Sequence, residues 1–114
     1  MKEELLQIFP TPLLIVPYEQ PINKELTYLK TISYRKQQQN GNFRSDDSYL
    51  LRNEEFKNIK NFLKESIDKF TTNVLNTKQR LVITQCWANR NPKGSQHHEH
   101  VHPNSIISGV MYFQ

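Results

Sequence analysis

The chain of 114 residues has a single cysteine, Cys86. An internal disulfide is therefore impossible, and a reducing compartment is expected. No apolar run approaches the roughly 18–20 residues of a membrane span. The first apolar run is broken by Pro10 and Pro12 and does not build the hydrophobic stretch of a secretion signal. These absences predict a soluble, cytoplasmic protein with no membrane partner. A concentrated basic patch is lacking too. The formal charge is +4, but residues 1–80 hold thirteen basic and ten acidic side chains and residues 81–114 hold two and one. The surplus is spread thin, whereas a nucleic-acid footprint gathers in a patch or stripe. Its densest part, Lys30, Arg35 and Lys36, has Tyr28 and Tyr34 nearby, whose rings suit base stacking. A solvated helix face with amphipathic tyrosines is the simpler account, so nucleic acid is not the expected partner.

No internal repeat is present, and the length suits one domain with one modest core. Residues 5–16 (LLQIFPTPLLIV) suggest an extended start, with Pro10 and Pro12 tolerated at an edge or strand entry. Pro21 then opens a helical stretch in which Ile22, Leu26, Leu29 and Ile32 recur at helical spacing. The polar run KQQQNGN, residues 36–42, reads as a loop. A longer helix is predicted from about Asn53 to Leu75. Asn53 is a candidate N-cap, Glu54 and Glu55 favour the first turn, and Phe56, Ile59, Leu63, Ile67, Phe70 and Val74 form one apolar face widened by Phe62.

After Lys78 the pattern changes. In RLVITQCWAN, Leu81, Ile83, Gln85, Trp87 and Asn89 alternate with Val82, Thr84, Cys86 and Ala88, the period of a strand. Asn91-Pro92-Lys93-Gly94 signals a turn. Residues 105–113 (SIISGVMYF) predict another strand, with Gly109 marking a bulge or a close approach. The expected organisation is one domain, 1–114, with a helical region over 1–78 and core strands over 79–114.

All four histidines fall within six residues, in HHEHVHP: His97, His98, His100 and His102. If residues 98–102 are extended, His98, His100 and His102 share one face, successive ones about 6.6–6.8 Å apart. Imidazoles at i and i+2 can converge on one metal ion, as in the His-x-carboxylate arm of a facial triad. His97 and Glu99 offer a competing pair on the opposite face. A histidine run can also be plain loop that binds metals weakly. A complete site needs a further ligand from elsewhere. Cys86, alone in mid-strand, reads as a buried small hydrophobe before it reads as a ligand. Trp87 and Tyr112 read as core or pocket lining.

The stretch ITQCWANRNPKGSQHHEHVHPNSIISGVMYF resembles the small 2-oxoglutarate- and Fe(II)-dependent oxygenases of marine phages and bacteria. Their pattern of Trp-x-Asn, a glycine turn, His-x-His-Pro and Ser-Gly-Val-x-Tyr has counterparts in Trp87 and Asn89, Gly94, His100 to Pro103, and Ser108 to Tyr112. IFPTPLL, residues 8–14, resembles the family's opening. The resemblance implies an α+β chain, with N-terminal helices packed on a double-stranded β-helix (jelly-roll) core. It implies Fe(II) as cofactor, 2-oxoglutarate as cosubstrate, and hydroxylation of a C–H bond coupled to formation of succinate. His100 would be an iron ligand, and His102 would stand where most oxygenases of this fold carry a carboxylate. Pro103 and the motif after it align with this pair in preference to His97 and Glu99. Asn89 and Tyr112 would face the cosubstrate. The family's later strands supply a distal histidine and a basic residue for the cosubstrate, and neither follows His102 here. The expectation is thus a fragment, inactive alone, of an oxidoreductase working in the cytoplasm, a host's if phage-encoded. The alternative is a metal-binding or structural jelly-roll protein without chemistry.

Overall fold

A computed structural model describes residues 3–5 and 8–113. The start expected over 5–16 falls partly on Leu6 and Gln7, outside the described residues, and the rest of it joins no helix or ladder. Helix α1, Asn23–Thr31, follows Pro21 as its spacing predicts, with Glu25 in the first turn and Lys30 in the last, where the helix dipole favours each. Strands β1, Tyr34–Lys36, and β2, Phe43–Ser45, form an antiparallel hairpin, and β3, Asn89–Arg90, pairs antiparallel with the other side of β2. The hairpin lies inside the region expected to be helical. Arg35 and Lys36 accordingly sit on a strand and not on a helix face. The KQQQNGN run is its turn, with Gly41 at φ +72°, a left-handed conformation that favours glycine.

Helix α2, Lys57–Asn73, starts later than expected. Two 3₁₀ turns, Leu50–Arg52 and Glu54–Phe56, precede it. Asn53 does not cap the long helix. Its Nδ2 donates to Asp47 Oδ2 at 3.2 Å and to the Leu50 carbonyl at 2.9 Å, so the amide braces the approach to the helix instead of accepting from its first turn. The core is small: Leu50, Leu51, Phe56 and Ile59 are buried, with Tyr28, Leu29, Ile32 and Leu63 packed against them. Tyr28 meets Phe56 edge-on, ring centroids 5.6 Å apart, and Tyr18 meets Phe62 at 4.9 Å, geometries that add to area burial.

The 79–90 segment lies along this core. Cys86 donates its N–H to the Ser48 carbonyl at 2.8 Å and accepts from Leu50 N at 3.0 Å. Ala88 accepts from Ser45 N at 2.9 Å, while its own N–H donates to Ser45 Oγ at 3.0 Å. Both Ile83 and Cys86 pack on the core. Residues three apart cannot share a face under strict alternation, so the period slips at Thr84–Gln85. Residues 105–113 form no ladder among the described residues, but their burial alternates: Ile107, Met111 and Phe113 are partly covered, while Ile106, Val110 and Tyr112 are more than 70% exposed. The architecture is α+β. Its three short strands do not by themselves assemble the double-stranded β-helix that the resemblance implies. Among the described residues, no helix is long and apolar enough to cross a membrane.

Candidate metal centre

Cross-strand pairing sets the geometry of the site. Arg35 stands opposite Arg44, and Arg44 opposite Asn89. Paired residues share a sheet face, so Arg35, Arg44 and Asn89 form one row. The Arg44 guanidinium carbon lies 4.3 Å from the centroid of the Trp87 ring. The Trp87 ring is 6.2 Å from that of His102, His102 is 4.9 Å from His100, and His100 is 5.3 Å from His98. Three imidazoles thus gather on one side of the segment, as an extended chain requires, with the indole at one end.

Hydrogen bonds sort the four histidines. A metal needs an imidazole nitrogen with a free lone pair. His97 has both ring nitrogens engaged. Nε2–H donates to Asn91 Oδ1 at 2.9 Å, and Nδ1 faces the Asn42 amide at 3.5 Å. His98 accepts at Nδ1 from the Asn40 amide at 2.8 Å, which places its proton on Nε2. His100 Nδ1 lies 2.8 Å from the His98 carbonyl. A carbonyl only accepts, so the proton is on Nδ1 and the lone pair of Nε2 is free. Orientation of a ligating imidazole by a backbone carbonyl is a usual support for metal binding. The ring of His102 makes no hydrogen bond among the described residues. His100 and His102 are therefore the pair left available, while His97 is tied down as a structural bridge.

Of the other residues singled out in the sequence, Cys86 is turned into the core. Burial, and secondarily Asp47, push its thiol above its ordinary pKa, and a thiolate ligand is not favoured there. Asn89 shares the row of Arg44. Tyr112 is 79% exposed, on the side opposite Met111 and Phe113. Among the described residues, no group of three His, Cys, Asp or Glu side chains is placed to hold a metal ion. His100 and His102 offer two neighbouring imidazoles, and no third donor joins them among the described residues.

Three supporting residues were not singled out in the sequence. Asn40, from the β1–β2 turn, orients His98 through its amide and accepts at its carbonyl from Gln96 N at 2.9 Å. Asn42, 3% exposed, reaches His97. Arg44 stacks on Trp87, donates from Nη2 to Ser48 Oγ at 3.0 Å, and leaves its buried Nε–H without an acceptor. The Asn40-Gly41 dipeptide is itself a hairpin signal and marks this turn in the sequence. Nothing local could have brought it to the histidines.

A family model described as "Putative 2OG-Fe(II) oxygenase" matches residues 85–114. Trp87, Asn89 and all four histidines fall inside that match, and the two helices and the β1–β2 hairpin fall outside it. No curated protein and no solved structure matches the chain.

Proposed function

We propose that the chain carries two iron ligands, His100 and His102, of a 2-oxoglutarate- and Fe(II)-dependent hydroxylase. The carrying observation is that these two adjacent imidazoles, with ring centroids 4.9 Å apart, each keep a nitrogen lone pair that no hydrogen bond takes up, whereas those of His97 and His98 face asparagine amides, within the segment similar to that oxygenase family. Bound iron with its cosubstrate would supply oxidative decarboxylation coupled to hydroxylation. The chain's own part is positional. The His98 carbonyl holds the Nδ1 proton of His100, so that Nε2 is the donor atom. Trp87 walls the His102 side, and Asn89, on the sheet face of Trp87 and Arg44, is retained as a cosubstrate contact. Nothing in the placement of the exposed Tyr112 argues for that role. Two imidazoles in place of one imidazole and one carboxylate leave the metal with one more unit of positive charge, which strengthens its pull on an anionic cosubstrate. The lone thiol suits a reducing cytoplasm, where we place the protein.

The absence of a third donor among the described residues favours a second reading, a metal-binding or structural protein without turnover. Both readings meet in one experiment: an anaerobic titration with Co(II), a spectroscopic stand-in for Fe(II). His100→Ala and His102→Ala are each expected to weaken binding by about tenfold or more, and His97→Ala and Glu99→Ala by much less. A change in the cobalt spectrum on adding 2-oxoglutarate favours the oxygenase, and a spectrum indifferent to it favours the second reading. Undiminished metal binding by the His100→Ala/His102→Ala double variant would sink the ligand assignment.

A further inference from the structure

We infer that the cleft between the β1–β2 hairpin and His98 is an oxyanion subsite, taking a phosphate or carboxylate carried by a small substrate. Calling that anion a substrate group rests on the oxygenase reading; the anion site itself does not. The cleft has a volume of about 510 Å³ and is lined by Arg35, Lys36, Arg44, Asn40, His98 and the glutamine run 37–39, with no carboxylate.

Three features favour an anion over mere solvent. Arg35 and Arg44 stand directly opposite each other on neighbouring strands, an arrangement that costs stability for like charges. Neither is well compensated within the chain. Among the described residues, the only ion partner of Arg35 is Asp46, at 4.0 Å with both side chains more than half exposed, a contact worth little. Among the described residues, the guanidinium of Arg44 hydrogen-bonds only the neutral Ser48 hydroxyl, and its buried Nε–H has no partner. Burial, and then the neighbouring Arg35, disfavour its charge, and an oxyanion would relieve both. Finally, the guanidinium of Arg44 lies over the Trp87 ring, which pre-orients a planar donor fork of the kind that recognises carboxylate and phosphate.

The location is informative. His98 lines the cleft, and its ring is 5.3 Å from that of His100. Arg44 and His102 both flank Trp87. An anion held between Arg35 and Arg44 therefore lies beside the proposed metal ligands. A small substrate could be anchored there by its charged group while its reactive carbon projects toward His100 and His102, an anchor that fixes orientation as well as affinity.

Trp87 is the only tryptophan in the chain, so its emission reports on the Arg44 stack. The metal-free chain is titrated with inorganic phosphate and with malonate at matched ionic strength, and calorimetry is run in parallel. Saturable binding is expected, with a dissociation constant of about 1 mM or tighter for at least one anion. The more effective anion tells a phosphate ester from a carboxylate substrate. Arg35→Gln, which leaves the stack on Trp87 in place, is expected to weaken binding by about tenfold or more; Arg44→Gln, followed by calorimetry, is expected to do the same. His100→Ala/His102→Ala should bind the anion as the parent does. Cobalt binding that the double variant keeps undiminished, or that the parent chain lacks, removes the oxygenase reading, and the subsite still stands if the anion binds. No saturable binding, or binding indifferent to Arg35→Gln, overturns the subsite. So does a single-stranded oligonucleotide that binds about a hundredfold tighter than phosphate, which makes the cleft a nucleic-acid contact. Displacement of phosphate by 2-oxoglutarate at less than about a tenth of the malonate concentration overturns the substrate assignment in favour of the cosubstrate.

Discussion

Residues 23–73 and residues 79–113 are built on different principles. The first stretch holds both α-helices, the β1–β2 hairpin and the four buried apolar residues. The second has one two-residue strand and several apolar side chains open to solvent. Yet the second carries all four histidines, Trp87 and the family match. The proposed site rests on a segment with little regular structure of its own, and the first stretch serves as its mould. Attachment runs through the short β2–β3 pairing and contacts such as Cys86 to Ser48 and Leu50, Ala88 to Ser45, Gln96 and His98 to Asn40, and His97 to Asn42. Sites carried on such segments depend on rigid neighbours for their geometry.

The contrast can be broken at its root. Phe56→Ala removes a ring that is 4% exposed and packed on Tyr28, and should cost about 3–5 kcal/mol. Denaturant unfolding measures the loss. If the second stretch has no independent stability, Trp87 emission must follow the helical signal in one transition. Two separated transitions would show that the histidine segment holds itself.

A subtler cut is at Ser45. This residue is fully buried, its hydroxyl donating to the Asp47 carbonyl at 2.8 Å while accepting from Ala88 N–H. Ser45→Ala strands that N–H and should cost about 1–3 kcal/mol. Amide exchange is expected to quicken most over residues 86–90, with α2 less affected. Uniform acceleration throughout would mean that the two regions are not separable in this way.

The smallest effect concerns Cys86. Its folded-state pKa is raised by burial, so the native state keeps its proton over a range where the unfolded chain loses it. Stability from this source is fully present below the unfolded thiol pKa and is lost as pH rises through the folded value. Stability should therefore decline gently at alkaline pH, and Cys86→Ala should flatten that decline. Slow alkylation of Cys86 in the folded chain is the companion observation; a rate equal to that of a free thiol would contradict its burial.

The same contrast explains what could be read from the sequence. Helix α1 and the body of α2 follow apolar spacing, which is a local property, and both were legible. The start of α2 was not, because Asn53 has the chemistry of a cap but spends its amide on Asp47 and Leu50. The hairpin was hidden for a different reason. Its strands, YRK and FRS, are three residues each with no apolar alternation, so nothing but the Asn-Gly pair in the turn marks them. The histidines were plain from clustering. Their division into free and engaged rings was not, since Asn40 and Asn42 lie more than fifty residues from the rings they hold. Arg44 escaped notice because its meaning depends on facing Arg35 and Asn89, a pairing no local pattern encodes.

The asparagine contacts of the histidine segment have one more consequence. In a strand ladder, a one-residue displacement turns every side chain to the other face, so a site on a ladder is inherited whole or lost. Here Asn40 and Asn42 grip individual rings. Each grip can be lengthened, shortened or dropped by one substitution, at the half-buried Asn40 or the buried Asn42, both outside the cluster of Leu50 and Phe56. The segment can therefore be tuned ring by ring, and its neighbours in sequence space can differ in donor geometry while sharing one framework.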